Sequence, residues 1–184
     1  AMAYLCTPAN PQGTVASLTQ LKATIKLARE YDFVLVSDEC YSEIYDGAPP
    51  AGALQACAEL GEGLRNVLVF NSLSKRSSAP GLRAGFVAGD ESLITKFRTL
   101  RAHGGAVQPM PVMAAATALW RDEAHVTENR ALYKAKMDDA AKVFGNRFGF
   151  YRPAGGFFLW LDVGDGQRAA KALSRDAAIK VLPG

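Results

Sequence analysis

Residues 67–85 read VLVFNSLSKRSSAPGLRAG. Val67 to Asn71 has the length and apolar, β-branched character of a buried strand. The next stretch is polar. Ser72, Ser74, Ser77 and Ser78 surround Lys75, and Arg83 comes after them between Gly81 and Gly85. Ala84 to Ala88 then reads as another strand. Lys75 therefore stands just past the end of a strand. It is either an exposed loop lysine, the usual fate of lysines, or an amine held in place for chemistry.

The flanking sequence repeats this arrangement. Ala3 to Cys6 is a short apolar strand candidate, and Thr7 to Gly13 (TPANPQG) is a loop broken by prolines and glycine. Ser17 with Gln20 has the spacing of a capping box. Leu18, Leu21, Ile25 and Ala28 come next at helical spacing, which predicts a helix to about Tyr31. Phe33 to Ser37 (FVLVS) is a second buried strand, and Glu91 to His103 carries Leu93, Phe97 and Leu100 on one helical face. Strands alternating with helices predict an α/β fold with a sheet parallel in large part. Strands that are continuous apolar runs fit a sheet covered on both faces.

Further along, Pro111 to Trp120 reads as an alanine-rich helix and Glu123 to Phe144 as a long helix of mixed charge. Gly149 to Val163 (GFYRPAGGFFLWLDV) reads as strands around a Pro-Ala-Gly-Gly turn. Ile179 to Gly184 reads as a strand running into a turn. This change of pattern places a boundary near residue 122. Residues 1–122 are expected to form part of a large α/β domain, and 123–184 an interdomain helix and part of a smaller α+β domain. Both ends of the chain read as interior segments, so a longer enzyme is expected around it.

Composition narrows the functional classes. The chain has 184 residues, 49% of them hydrophobic and 21% charged, enough to bury a core. A net charge of +3 with no basic run gives no footprint for nucleic acid. No apolar stretch approaches the roughly 20 residues of a membrane span, and the first residues lack the pattern of a secretory signal. Cys6, Cys40 and Cys57 are odd in number and form no C-x-x-C pair, as expected of reduced thiols in a cytoplasmic protein. His103 and His125 are too distant in sequence to propose a metal pair, and no metal is expected.

In an open α/β sheet, ligands bind outside the carboxyl ends of the strands. Asn10 comes after the first strand, Asp38 and Tyr41 after the second, and Ser72, Ser74 and Lys75 after the third. If these strands are neighbours, all of these groups face one crevice. Asp38 is either a helix N-cap or a fixed anion facing a cationic ligand group. A desolvated Lys75 is a nucleophile toward a carbonyl. Ser72 and Arg83 supply a hydroxyl and a planar donor fork, a phosphate-binding set. Gly81 and Gly85 allow close backbone approach. A carbonyl ligand carrying a phosphate and a basic ring nitrogen accounts for the whole set. Ser72-Leu73-Ser74-Lys75 also matches S-x-x-K, the nucleophile motif of serine β-lactamases, but their S-D-N and K-T-G partners are absent.

Asn10-Pro11-Gln12-Gly13, Ser37-Asp38-Glu39-Cys40-Tyr41 and Ser72-Leu73-Ser74-Lys75 with Gly81-Leu82-Arg83-Ala84-Gly85 occur in an order and spacing that resemble class I/II, fold type I pyridoxal-phosphate aminotransferases. The likeness runs on through PAGGFFLWLDV and covers essentially the whole chain. It implies that pyridoxal 5'-phosphate is the cofactor. Lys75 would carry it as an imine and shuttle the proton at the substrate Cα. Asp38 would pair with the pyridinium nitrogen, and Tyr41 and Asn10 with the ring hydroxyl. Ser72 and Arg83 would hold the phosphate, with Ser74 beside Lys75. The partners implied are amino-acid and 2-oxo-acid substrates and a second subunit in a homodimer, with neither nucleic acid nor membrane.

Family members run to about twice this length, so the upstream phosphate loop and the carboxylate-gripping arginine are expected outside the chain. Ala102 to Ala116 (AHGGAVQPMPVMAAA) is similar to bacterial succinyldiaminopimelate aminotransferases. A fold type I lyase or decarboxylase is an alternative, because the same lysine and aspartate serve those reactions. A non-catalytic aminotransferase-like binding domain is another.

Overall fold

The computed structural model describes residues 1–105 and 107–184. Ala106, inside the Ala102–Ala116 segment, lies outside the described residues. Four strands form one sheet in the order β1 (Met2–Cys6), β2 (Val34–Asp38), β3 (Val67–Ser72) and β4 (Gly85–Gly89). The first three are parallel, with Cys6 opposite Asp38 and Asp38 opposite Phe70. β4 runs antiparallel to β3, with Ser72 opposite Gly85. The expected α/β sheet, parallel in large part, is the one observed.

Helix α1 (Leu18–Glu30) begins on the capping box: Gln20 N–H donates to Ser17 Oγ, and Ser17 N–H donates to Gln20 Oε1. Its Leu21, Ile25 and Ala28 are fully buried against Leu35, Val67 and Val69 of the sheet. A second helix on the same face, α2 (Ala53–Leu60), adds Ala53, Ala56 and Cys57 and ends on a left-handed Gly61 at φ 72°. On the other face, Phe70 meets Phe97 edge to face, their centres 6.1 Å apart. Residues alternate between faces along a strand, so β3 feeds both layers.

A one-turn helix, α3 (Leu73–Arg76), leaves β3 directly, and a 3-10 turn at Pro80–Leu82 leads into β4. Phe97 belongs to the next helix, α4 (Glu91–Gly104). Leu73 is fully buried in a second cluster with Ala84 and Ala116, the latter from α5 (Met110–Arg121). A long helix, α6 (Ala124–Phe144), comes after it, and α7 (Gly166–Ala177) lies near the end.

Two strand expectations are corrected. Residues 149–163 join no sheet ladder among the described residues, and only Gly155 bridges Tyr45. The run is anchored to loops instead. Gly155 N–H donates to Gly13 O, Gly156 N–H to Ile44 O, and Asp46 N–H to Ala154 O. Residues 179–184 are likewise without strand structure, and Ile179 N–H returns to Leu173 O in α7. An apolar run becomes a strand only where a neighbouring strand takes its backbone groups.

Candidate active site

Parallel pairing of β1, β2 and β3 brings their carboxyl ends to one edge. The groups just beyond these strands meet there. Asn10, in the loop after β1, donates its side-chain amide to the Tyr41 hydroxyl at 3.2 Å. Tyr41 itself is buried. Because its oxygen accepts from Asn10, its own proton is free to point at another acceptor. Burial pushes the Tyr41 phenol above its ordinary value, helped by the Cys6, Asp38, Cys40 and Tyr133 groups nearby. It stays a protonated donor at neutral pH.

Asp38 ends β2 half-buried. One of its oxygens accepts from Cys40 N–H at 3.0 Å, closing an Asx turn. No helix starts there, so its carboxylate does not serve as a helix cap. The Cys40 thiol is coupled to both Asp38 and Lys75. Burial, then Asp38, push that thiol up to about 12, with Lys75 opposing. Cys40 is therefore a neutral thiol in the site wall, as expected of a packed cysteine.

Lys75 rides on α3, half-buried, with its ammonium facing two rings. Nζ lies 5.8 Å from the centre of Tyr41 and 5.2 Å from that of Phe157. Phe157 is stacked on Tyr133 of α6, centres 5.0 Å apart and planes 14° from parallel. Aromatic faces attract a cation at such distances. The sequence offered no role for Tyr133 or Phe157. Their only signal was aromatic character far from Lys75.

The Ser72 hydroxyl accepts from Ser74 N–H at 3.1 Å and lies 2.9 Å from Ser74 Oγ and 3.2 Å from Ala84 O. Arg83 comes next to Ala84 at left-handed φ 51°. Its guanidinium is exposed and donates to Pro80 O at 2.7 Å. Backbone geometry thus brings Arg83 to the serines, while its side chain turns onto its own loop. Of the two glycines expected to allow close approach, Gly85 does so: a Cβ there would stand 2.5 Å from Asn71 O. Gly81 has open space and no such role.

The edge combines an amine, a half-buried carboxylate, a phenol paired with an amide, and the Ser72 and Ser74 hydroxyls, while the Arg83 guanidinium is turned onto Pro80 O. Amine, carboxylate, phenol and hydroxyls are the partner types that a phosphorylated pyridine aldehyde requires. Such groups at the carboxyl ends of parallel strands define an α/β protein of the ligand-binding, open-sheet class. The family pattern "Aminotransferase class I and II" matches residues 1–184, and the chain belongs to that family. Members of this family use pyridoxal phosphate.

Relatives agree. The 4-dedimethylamino-4-oxo-anhydrotetracycline transaminase OxyQ of Streptomyces rimosus is 36% identical over 98% of this chain and 50% of its own. An LL-diaminopimelate aminotransferase of Moorella thermoacetica is 30% identical over 96% of this chain and 46% of its own. A crystal structure of an aminotransferase from Neisseria meningitidis superposes with a TM-score of 0.92 at 45% identity, covering 100% of this chain and 47% of that one. The chain thus spans about half the length of the relatives it matches.

Proposed function

We propose that the protein transfers an amino group from an amino acid to a 2-oxo acid, with pyridoxal 5'-phosphate held at the carboxyl edge of β1–β3. One observation carries this reading: the Lys75 ammonium faces Tyr41, whose hydroxyl is already set by Asn10, at the edge where Asp38 ends β2. When bound, the cofactor supplies a carbonyl that takes up the amino group and a ring that accepts electrons from the substrate Cα.

The residues of this chain divide the remaining work. Lys75 would hold the cofactor through its amine and would move the proton at the substrate Cα. Asp38 would keep the ring nitrogen protonated. Tyr41 would donate to the ring hydroxyl, with Asn10 fixing the phenol's orientation. Ser72, Ser74 and Arg83 would hold the phosphate, Arg83 by exchanging Pro80 O for it. Phe157 and Tyr133 wall the Lys75 side and limit the entry of water.

The proposed substrate pair is N-succinyl-diaminopimelate and glutamate. The likeness of Ala102–Ala116 supports it, as do diaminopimelate aminotransferases among the relatives. We further propose a cytoplasmic homodimer; its three cysteines are free thiols, as that location requires. The proposed domain boundary near residue 122 is supported by the extended Asp122 between α5 and α6.

The test uses the full-length protein. With pyridoxal phosphate it is expected to develop a visible absorption band and to transfer the amino group of N-succinyl-diaminopimelate to 2-oxoglutarate. Lys75→Ala is expected to lose both. Retention of the band and of turnover by Lys75→Ala removes the reading.

A further inference from the structure

Residues 75–78 (KRSS) are each gripped by a residue from the α5–α6 junction or the start of α6. Asn129 of α6 donates its side-chain amide to Lys75 O at 3.1 Å. Its other side-chain atom, Oδ1, accepts from Ser78 Oγ at 3.1 Å. The Arg76 side chain is 5% exposed; it donates to Leu119 O at 2.8 Å and pairs with Glu123. Its guanidinium also lies 5.1 Å from the centre of the Trp120 ring. Ser77 Oγ lies 2.9 Å from His125 Nε2, while His125 Nδ1 lies 2.7 Å from Asp122 Oδ2. With Nδ1–H on the carboxylate, Nε2 is the acceptor for the serine proton.

A single helical turn is too short to be stable alone. Local caps would suffice for an ordinary surface turn. Here the holding groups come from about fifty residues downstream, as Asn129 and Lys75 are 54 positions apart. Ser78 is held at left-handed φ 47°, unusual for a residue other than glycine. The same helix, α6, supplies Tyr133, which backs the Phe157 ring beneath the Lys75 ammonium. One element therefore touches Lys75 at its backbone carbonyl and supports the ring beside its Nζ.

The order Ser77, His125, Asp122 is also that of a serine nucleophile, its base and the acid that orients the base. Here the same contacts tie the end of α3 to the start of α6.

We infer that the start of α6 is a positioning clamp for Lys75, with Asn129 as the residue that sets the height of the lysine backbone against the Tyr41–Phe157 wall. The inference rests on the aminotransferase reading for its kinetic consequence and on geometry alone for its structural one. The Asn129 side chain is committed to Lys75 O, Arg76 O and Ser78 Oγ. It acts through Lys75.

The test has two arms, both on the full-length protein. In the holoenzyme, Asn129→Ala is expected to lower kcat by about tenfold to a hundredfold, the usual cost of a misplaced reacting group. KM for the amino donor is expected to stay within about twofold, since no ground-state contact is lost. In the cofactor-free protein, competitive acetylation by acetic anhydride, read at Lys75 by peptide mass spectrometry, is expected to speed up several-fold in Asn129→Ala. Should that variant not fold, Ser78→Ala removes one partner of the same amide and is read in the same way. Unchanged Lys75 acetylation together with an unchanged kcat overturns the clamp, whatever happens to the thermal midpoint. Faster acetylation in Asn129→Ala, alongside a parent protein that shows no transamination, supports the clamp while removing the aminotransferase reading.

Discussion

The side-chain amide of Asn10 donates to the hydroxyl of Tyr41 at 3.2 Å, so the loop after β1 and the turn after β2 meet at one oxygen. This bond joins residues 31 positions apart. It also decides which way the phenol proton can point. A double-mutant cycle of Asn10→Ala and Tyr41→Phe is expected to give a coupling energy of about 0.5–1.5 kcal/mol in kcat/KM, the net worth of one hydrogen bond. Strict additivity of the two single variants would show that they act separately.

Asp38 closes β2 with one oxygen committed to Cys40 N–H. Asp38→Asn keeps an oxygen for that bond and removes the charge. Amino transfer is expected to fall by about a thousandfold, on the order of 4 kcal/mol of barrier, while pyridoxal phosphate still binds. Stopped-flow half-reactions and a cofactor titration separate the two effects. An unchanged rate takes Asp38 out of the chemistry.

Glu39, next in sequence, turns to different partners and is buried. Its carboxylate accepts from Ala53 N–H at 2.8 Å and from Ser37 Oγ at 2.9 Å. Burial nonetheless raises its carboxyl above the ordinary value of 4.5, with those two bonds pulling it back and Asp38 adding to the rise. A raised carboxyl favours the folded state while protonated. That stability is fully present below the unfolded value and is lost as pH rises through the folded one. Glu39→Gln keeps an acceptor for Ala53 and cannot ionise. Its melting temperature relative to the parent is expected to climb as pH rises from about 4 to about 8. A flat or falling difference would contradict this.

Leu73 is fully buried beneath the Lys75 turn, in a cluster with Ala84 and Ala116. Leu73→Ala is expected to cost about 2–5 kcal/mol of unfolding free energy in denaturant titration. A cost near zero would mean that the cluster collapses around the gap.

The strands and α1 were legible because their cues are local. Val67-Leu68-Val69-Phe70 is apolar throughout, and Ser17 with Gln20 marks a helix start. The gathering of Asn10, Asp38, Tyr41 and Lys75 resulted from parallel strands ending together. Helix α2 carries Ala53, Ala56, Cys57 and Leu60 at helical spacing before the stop signal of Gly61, but at eight residues it is shorter than the window over which such a period stands out. The antiparallel return of β4 was not readable, since direction depends on how the intervening loop folds back. Phe157-Phe158-Leu159-Trp160 resembled a strand, yet Phe157 and Phe158 serve packing around Tyr41 and Tyr133 instead. Asn129 and His125 gave no signal at all. Their partners lie on a turn about fifty residues earlier, a distance that no local pattern spans.

The reversal between β3 and β4 has an evolutionary consequence. Leu73 N–H donates to Ala84 O at 3.1 Å, and Ser72 Oγ lies 3.2 Å from the same oxygen. The segment carrying Lys75 is therefore pinched shut at its neck, like a purse whose drawstring is one carbonyl. Whatever happens along the rim, between Ala79 and Leu82, leaves the strand register behind the drawstring unchanged. Descendants of this chain can lengthen, shorten or rewrite that rim to admit other ligands, while β3 and the α6 contacts keep the amine in place.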